Sequence, residues 1–349
     1  MKDHEGTAIA FMDMGTNSLR LMIVRIHSNR SYTILSRQKE MIRLGEGEFE
    51  HGFILEESMD RAVAVCRNFA DMAASFKASE LICVATSATR DANNRAAFLS
   101  RLRKEAGLDV RVVSGTEEAR LIYLGVSRGT SVTERSLFID IGGGSTELIV
   151  GDARQYEYLD SIKVGAIRLS MLLPYDPAAP ISTTSYLTLQ DSVRNKSIRS
   201  FQLIRGLGLK NAYGSSGTAQ NLAEICCQTL YGGDPEKRKT LRLEDLRRVA
   251  ALLCSLPLEE RKLVPGINPS RADIIIGGVA ILDTILTDLD FPVIQVSNRE
   301  LRDGLLVDYL SRIDRNAVEE QSSVRQPSVL QLGRRSDFDE DPARTVAKL

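Results

Sequence analysis

FIDIGGGSTELIV, residues 138–150, sets Asp140 at the end of an apolar run, puts three glycines behind it, and follows them with Ser145 and Glu147. Adjacent glycines suit neither helix nor strand, because each loses more backbone entropy on folding than any other residue. A glycine turn after a strand lets N–H groups converge on an oxyanion, and a carboxylate beside it can hold the magnesium that accompanies phosphate. An ordinary hairpin tip fits the same stretch. FMDMGTNSLRLMI, residues 11–23, aligns on it without gaps: Phe11, Asp13, Gly15, Ser18 and Leu21 meet Phe138, Asp140, Gly142, Ser145 and Leu148, at a constant spacing of 127 residues. One strand–turn–strand device thus occurs twice, and copies so far apart imply two similar domains. Two Asp-tipped hairpins facing each other across a cleft are the expectation.

Four further stretches carry usable groups. In VVSGTEEARLIYLGV (112–126) a strand runs into a helix. Ser114 and Glu117 have capping-box spacing, which gives Glu117 a structural job. Glu118 is left either to complement the helix dipole or to act as a general base for water. ATSATRDANN (85–94) places Arg90 after a buried strand, as a surface residue or as a guanidinium gripping phosphate. AYGSSGTAQNL (212–222) offers the Gly217, Thr218 and Ala219 amides at a helix N-terminus, for an anion or merely a tight connection. In RADIIIGGVAIL (271–282) the paired glycines read as close helix packing. No Gly-Lys pair exists for a P-loop, and neither glycine turn has GxGxxG spacing.

The elements that must position these groups alternate along the chain. Strands are expected over 8–12, 20–26 and 31–37, a helix over 58–76, a strand over 80–85, a helix over 95–106, a strand over 110–113 and a helix over 117–125. The second half restarts with strands near 137–150 and 156–164. Helices follow over 183–208, 218–230, 243–255, 259–263 and 270–288, with short strands at 211–214 and 293–296 and a last helix over 300–313. Three antiparallel strands followed by alternating helices and strands, given twice, describe a duplicated α/β chain. Residues 1–128 form the first domain and 129–300 the second, and the polar segment 314–349 reads as a disordered tail.

Composition is that of a globular chain, with 43% hydrophobic and 26% charged residues and a net charge of −1. That balance gives no steering toward nucleic acid. Between Ser192 and Ala223 there is no acid while Arg194, Lys196, Arg199, Arg205 and Lys210 are present, either a polyanion track or a solvated basic face. His4, His27 and His51 are the only histidines, so a Ser-His-Asp site or a histidine metal site is not expected. The five cysteines form no CxxC and read as buried thiols of a reducing, cytoplasmic compartment. No membrane span or export signal is expected.

DMGTNSLR (13–20), ATSATRDANN, SGTEEARLIYLGV (114–126), DIGGGSTE (140–147), GSSGT (214–218), RADIIIGG and LRDGLL (301–306), in this order, resemble the exopolyphosphatase and guanosine pentaphosphate phosphohydrolase family over about residues 7–313. The resemblance implies duplicated RNase H-like domains of the actin-like ATPase superfamily, with 301–313 crossing back onto the first domain. It implies Glu118 as the base activating water, and Asp140 and Glu147, with Asp13, as magnesium and water-positioning groups. Gly142, Gly143, Gly144 and Ser145 would offer N–H groups to the terminal phosphate. Asn17, Ser18, Arg20 and Arg90 would close over it, and Gly217 and Thr218 would line the cleft.

By the same resemblance the protein is a magnesium-dependent cytoplasmic homodimer, with other divalent ions and potassium stimulation open. Its substrate would be inorganic polyphosphate or guanosine pentaphosphate. The chain resembles the short members, without the extra C-terminal helical region of longer ones. A sugar-kinase-like phosphotransferase and a nucleotide-binding assembly protein are the readings from other classes: the first needs an acceptor pocket with its own base, and the second has no use for Glu118.

Overall fold

The computed structural model describes residues 6–128, 132, 134–173 and 176–319. Its first half contains β1 (Thr7–Met14), β2 (Ser18–Ile26), β3 (Tyr32–Met41), α1 (Glu48–His51), α2 (Glu56–Ser75), β4 (Glu80–Ala85), α3 (Ser87–Asp91), α4 (Arg95–Ala106), β5 (Val110–Val112) and α5 (Gly115–Ser127). The second contains β6 (Ser136–Ile141), β7 (Thr146–Gly151), β8 (Tyr156–Ile162), α6 (Ala166–Ser170), α7 (Thr183–Arg205), β9 (Asn211–Ser215), α8 (Ser216–Tyr231), β10 (Thr240–Arg242), α9 (Leu243–Ser255), α10 (Leu258–Arg261), α11 (Ile275–Asp288), β11 (Val293–Val296) and α12 (Leu301–Glu319). Among the described residues, no helix is long and apolar enough to cross a membrane.

The duplication read from the hairpins extends to the sheets. The first has strand order β3-β2-β1-β4-β5 and the second β10-β11-β9-β6-β7-β8. In each, a three-strand antiparallel meander is followed by two strands parallel to its first, and the short antiparallel β10, which the sequence reading missed, is added at one edge. This is a duplicated α/β architecture with one mixed sheet in each half, as the sequence predicts. The central strands β1, β6 and β7 are buried almost throughout, as their near-continuous apolar runs require. β3 is an edge strand whose Arg37, Lys39 and Glu40 face solvent, which blunts pairing with other chains.

Side-chain alternation decides which residues reach the space between the sheets. Ala10, Met12 and Met14 of β1 belong to the core under α2 and α4, whereas Ile9 and Phe11 belong to a core shared with Phe138, Ile149 and Tyr213 of the second sheet. Helices α5 and α12 supply the rest of that shared core through Leu121, Ile122, Leu301, Leu305 and Leu306. With a period of two, Asp13 points to the same side as Phe11, and Asp140 to the same side as Phe138. Arg20 follows Met22 and Glu147 follows Ile149 in the same way. All four chemistry-bearing strand residues are therefore aimed inward by the pleat.

Helix boundaries depart from expectation where local chemistry intervenes. The expected helix over 270–288 is two pieces, a 3₁₀ turn at Pro269–Arg271 and α11 from Ile275. Asn268 caps the turn and Pro269 sits at its first position, both start signals. Gly277 and Gly278 do serve packing: an added Cβ would lie 2.5 Å from Ala166 O at one and 2.5 Å from Thr218 Cγ2 at the other. Helix α12 continues past Asp314 to Glu319, into the segment read as tail, and the remainder of that tail lies outside the described residues. Of the five free cysteines, four are buried and Cys254 is partly so.

Candidate active site

The two hairpins end in matching turns. Gly15 N–H donates to Ser18 O at 3.0 Å, and Gly142 N–H donates to Ser145 O at 2.9 Å. In register, Asp13 stands opposite Arg20 and Asp140 opposite Glu147, so the second copy has a carboxylate where the first has a guanidinium. Asp13, Asn17, Ser18, Arg20, Glu118, Asp140, Gly142, Gly143, Gly144, Ser145, Gly217 and Thr218 line one cleft between the halves.

Each carboxylate is held by a different element. Asp140 accepts a hydrogen bond from Ser215 Oγ at 2.5 Å, from the end of the neighbouring β9. Asp13 lies 3.5 Å from Arg20, which is also 3.4 Å from Glu300 at the start of α12. Glu118 occupies the first turn of α5, whose N-cap Ser114 accepts from Glu117 N–H at 3.1 Å. The capping box is one-sided, since the Glu117 carboxylate turns to Arg120 at 2.7 Å. Arg90 of α3 donates to Glu118 at 2.7 Å and to Val113 O at 3.2 Å.

Burial raises the pKa of Asp13, Glu118, Asp140 and Glu147. Glu118 is pushed up to about 7, chiefly by burial, with Arg90 opposing and Asp13 and Asp140 adding. Asp140 is pushed up to about 6 by burial, against Ser215 and Arg20. Asp13 is raised by burial against Arg20 and Arg302, and Glu147 is raised well above the carboxylate range by burial and then by Glu118 and Asp140. The cleft therefore concentrates acids that a cation would stabilise in their ionised form. Beside them stand donors without acceptors: Asn17 Nδ2, Arg20 Nε and Ser87 Oγ are buried and unpartnered. Arg271, 6% exposed, also lines the cleft. Buried unpaired donors are costly, and an anion bound among them removes that cost.

A model of the Ppx/GppA phosphatase family matches residues 22–313. The chain belongs to the Ppx/GppA phosphatase family. Its architecture agrees with solved structures. A crystal structure of an exopolyphosphatase from Cytophaga hutchinsonii is 29% identical, covers 88% of this chain and 98% of its own, and superposes with a TM-score of 0.81. A Ppx/GppA family member from Aquifex aeolicus is 25% identical with a TM-score of 0.71, covering 88% of this chain and 99% of its own.

Within this Ppx/GppA chain, two expected site residues stand elsewhere than the cleft wall. Arg90 is set behind Glu118 as its ion-pair partner, which makes it a positioning residue in this geometry. Glu147 is 1% exposed and accepts from Ser161 Oγ at 2.7 Å, one strand further out. The glycine turn also has a second reason for its composition. A Cβ on Gly144 would lie 2.5 Å from Phe49 Cζ and from Ser87 Oγ, and one on Gly143 would lie 2.9 Å from Thr16 Cβ, so bare backbone lets the two halves approach.

Sequence reasoning missed Arg271, Glu300, Ser87 and Ser215. Arg271 was absorbed into an expected helix; the Asn-Pro pair before it was the signal for a separate turn. The basic stretch 194–210 does not line the cleft: Arg194 and Arg205 both engage Asp288, and Arg194 also engages Asp191.

Removal of Arg90 gives a signed prediction. Its guanidinium lowers the Glu118 pKa, so Arg90→Met should move the ascending limb of the pH–rate profile to higher pH, by roughly a unit or more. A limb that stays in place would show that Glu118 is not the group being titrated.

Proposed function

We propose that this phosphatase hydrolyses the terminal phosphoanhydride of inorganic polyphosphate with water activated by Glu118. The observation that carries the reading is the pairing, in the lining of one cleft, of the buried Glu118 carboxyl, pushed up to about 7, with the unpartnered buried donors of Asn17, Arg20 and Ser87. A base with a pKa close to the working pH is half ionised there and accepts a proton efficiently. The donors, the Arg20 and Arg271 guanidinia and the glycine-turn amides suit the oxygens of a transferring phosphoryl group, whose chemistry is governed by positioning and charge. Because an ionised Glu118 is required, the rate should rise with pH through about 7.

The carboxylates fit magnesium. Asp13 and Asp140 are hard oxygen donors on adjoining turns of one cleft, and both resist ionisation without a cation. Among the described residues no three His, Cys, Asp or Glu side chains converge into an all-protein cage. Magnesium prefers one or two carboxylates and completes its shell with water and substrate phosphate. When bound, it would neutralise charge on the phosphate oxygens. Chelation of divalent ions should abolish phosphate release and magnesium should restore it, with Asp140→Asn raising the magnesium concentration needed for half-maximal rate by about tenfold or more. Full activity in excess chelator would remove the metal from the proposal.

Guanosine pentaphosphate presents the same terminal phosphates and differs only in carrying a nucleoside behind them. Parallel release assays on polyphosphate and guanosine pentaphosphate, without any acceptor, rank the two. Release without an acceptor also excludes a strict phosphotransferase.

A further inference from the structure

One cation beside the cleft has no role in the hydrolysis described above. In register across the first sheet, Asp13 of β1 stands opposite Arg20 of β2, and Arg20 opposite Lys39 of the edge strand β3. Directly opposed residues share a face of the sheet, so these three form a row. It starts at the buried Asp13, passes the cleft-lining Arg20, and ends at a lysine exposed on the sheet edge. The second half repeats the row as Asp140, Glu147 and Ser161, where the outer residue is a small hydroxyl that donates to Glu147. The outward cation is thus a feature of the first half alone.

We propose that Lys39 forms an outer phosphate subsite that takes the groups behind the reacting one, so that the row conducts a polyphosphate chain from the sheet edge to the cleft. This rests on the hydrolase reading above and specifies which part of the chain the enzyme holds. Adjacent strands are about 4.8 Å apart, so the Lys39 backbone is one strand spacing further from the cleft than that of Arg20. Lys39 makes no ion pair with an acid among the described residues. Arg20 is occupied by Asp13 and Glu300, and Arg302 donates to Glu300 at 3.1 Å. The ammonium is also held down to about 8, by burial first and then by Arg271 and Arg20, with Glu300 opposing. Lys39 is thus a cation at the sheet edge with no acid within ion-pair distance among the described residues, and a phosphate of the chain supplies that partner. In the 194–210 stretch, the other basic candidate, Arg194 and Arg205 are tied to Asp288 and Arg194 also to Asp191, and none of its five cations lines the cleft.

The test compares equilibrium binding of pyrophosphate and of a long polyphosphate of defined length to the wild type, Lys39→Gln and Lys39→Arg, with KM for the long chain measured alongside. Lys39→Gln should weaken the long chain about tenfold, the scale of one charge-assisted contact. Pyrophosphate should respond far less, and Lys39→Arg should restore long-chain binding. The long-chain KM should rise with kcat and the melting temperature little changed, since Lys39 lies on the exposed edge strand and makes no ion pair among the described residues. Equal weakening of both anions, or of neither, overturns the subsite. Should the wild type bind the long chain yet release no phosphate, the hydrolase reading falls and the binding ratio still decides for or against Lys39. Binding of neither anion by the wild type overturns both.

Discussion

Replacing Glu118 by Gln should lower phosphate release from polyphosphate by about 10²- to 10⁴-fold, the range over which a positioned general base contributes. The substitution is nearly isosteric and removes only the ability to accept a proton. Folding should survive it. Glu118 is buried with a raised pKa, so its ionised form is disfavoured by the fold, and a neutral amide removes that desolvation cost. The opposing term is Arg90, which loses a charged partner at 2.7 Å but keeps Val113 O at 3.2 Å. The melting temperature should therefore shift little in either direction while turnover collapses. Binding of polyphosphate to Glu118→Gln should remain, because the donors lining the cleft are untouched. Near wild-type turnover in the variant would sink the base assignment. Loss of binding together with turnover would mean that Glu118 organises the cleft instead of acting on water.

The fold was legible because the hairpin was written twice. Phe11 and Phe138, Asp13 and Asp140, Gly15 and Gly142 fixed the two meanders, and the pleat then fixed which side each carboxylate faces. What escaped were groups whose role depends on contacts far apart in sequence. Nothing adjacent to Arg90 shows that it ends on Glu118, because the approach of α3 to α5 is set by packing of β4 beside β5. Ser215 and Glu300 reach the cleft from strand and helix termini of the second half, where neighbouring letters speak only of capping. Arg271 was hidden by a propensity argument: an apolar run from Ile274 reads as one helix, and the short turn that presents the guanidinium resembles its first turn. The glycines of 142–144 were read for phosphate or for a plain hairpin tip, whereas Gly143 and Gly144 also admit the approach of Thr16, Phe49 and Ser87.

Gly304→Ala should be among the most damaging single-methyl changes in this protein. Helices α5 and α12 cross between the two sheets with glycines at the contact. A Cβ on Gly304 would stand 1.8 Å from Leu121 O, and one on Gly125 would stand 2.6 Å from Glu300 O. Real Cβ contacts essentially never fall below 3.0 Å, so the helices must separate at this crossing. The obstruction is backbone, and no truncation of the Leu121 side chain relieves it. Separation loosens Leu301, Leu305 and Leu306, buried side chains contributing about 1.5–3 kcal/mol each when fully packed. Against a total stability of about 5–15 kcal/mol, even part of that loss is large. The melting temperature should fall by several degrees or the protein should fail to accumulate in soluble form. Gly206→Ala is the control: its Cβ would meet Leu203 O at an ordinary 3.6 Å, and stability should stay within about 0.5 kcal/mol. Turnover adds a second readout, because α5 carries Glu118 and the residue before α12 is the cleft-lining Glu300. Where Gly304→Ala remains folded, at low temperature, it should still turn over more slowly than wild type, since the crossing sets how far the base stands from the two hairpin turns. Wild-type melting and turnover in Gly304→Ala would show that the helices have room to part, and that the position of the base does not depend on this contact.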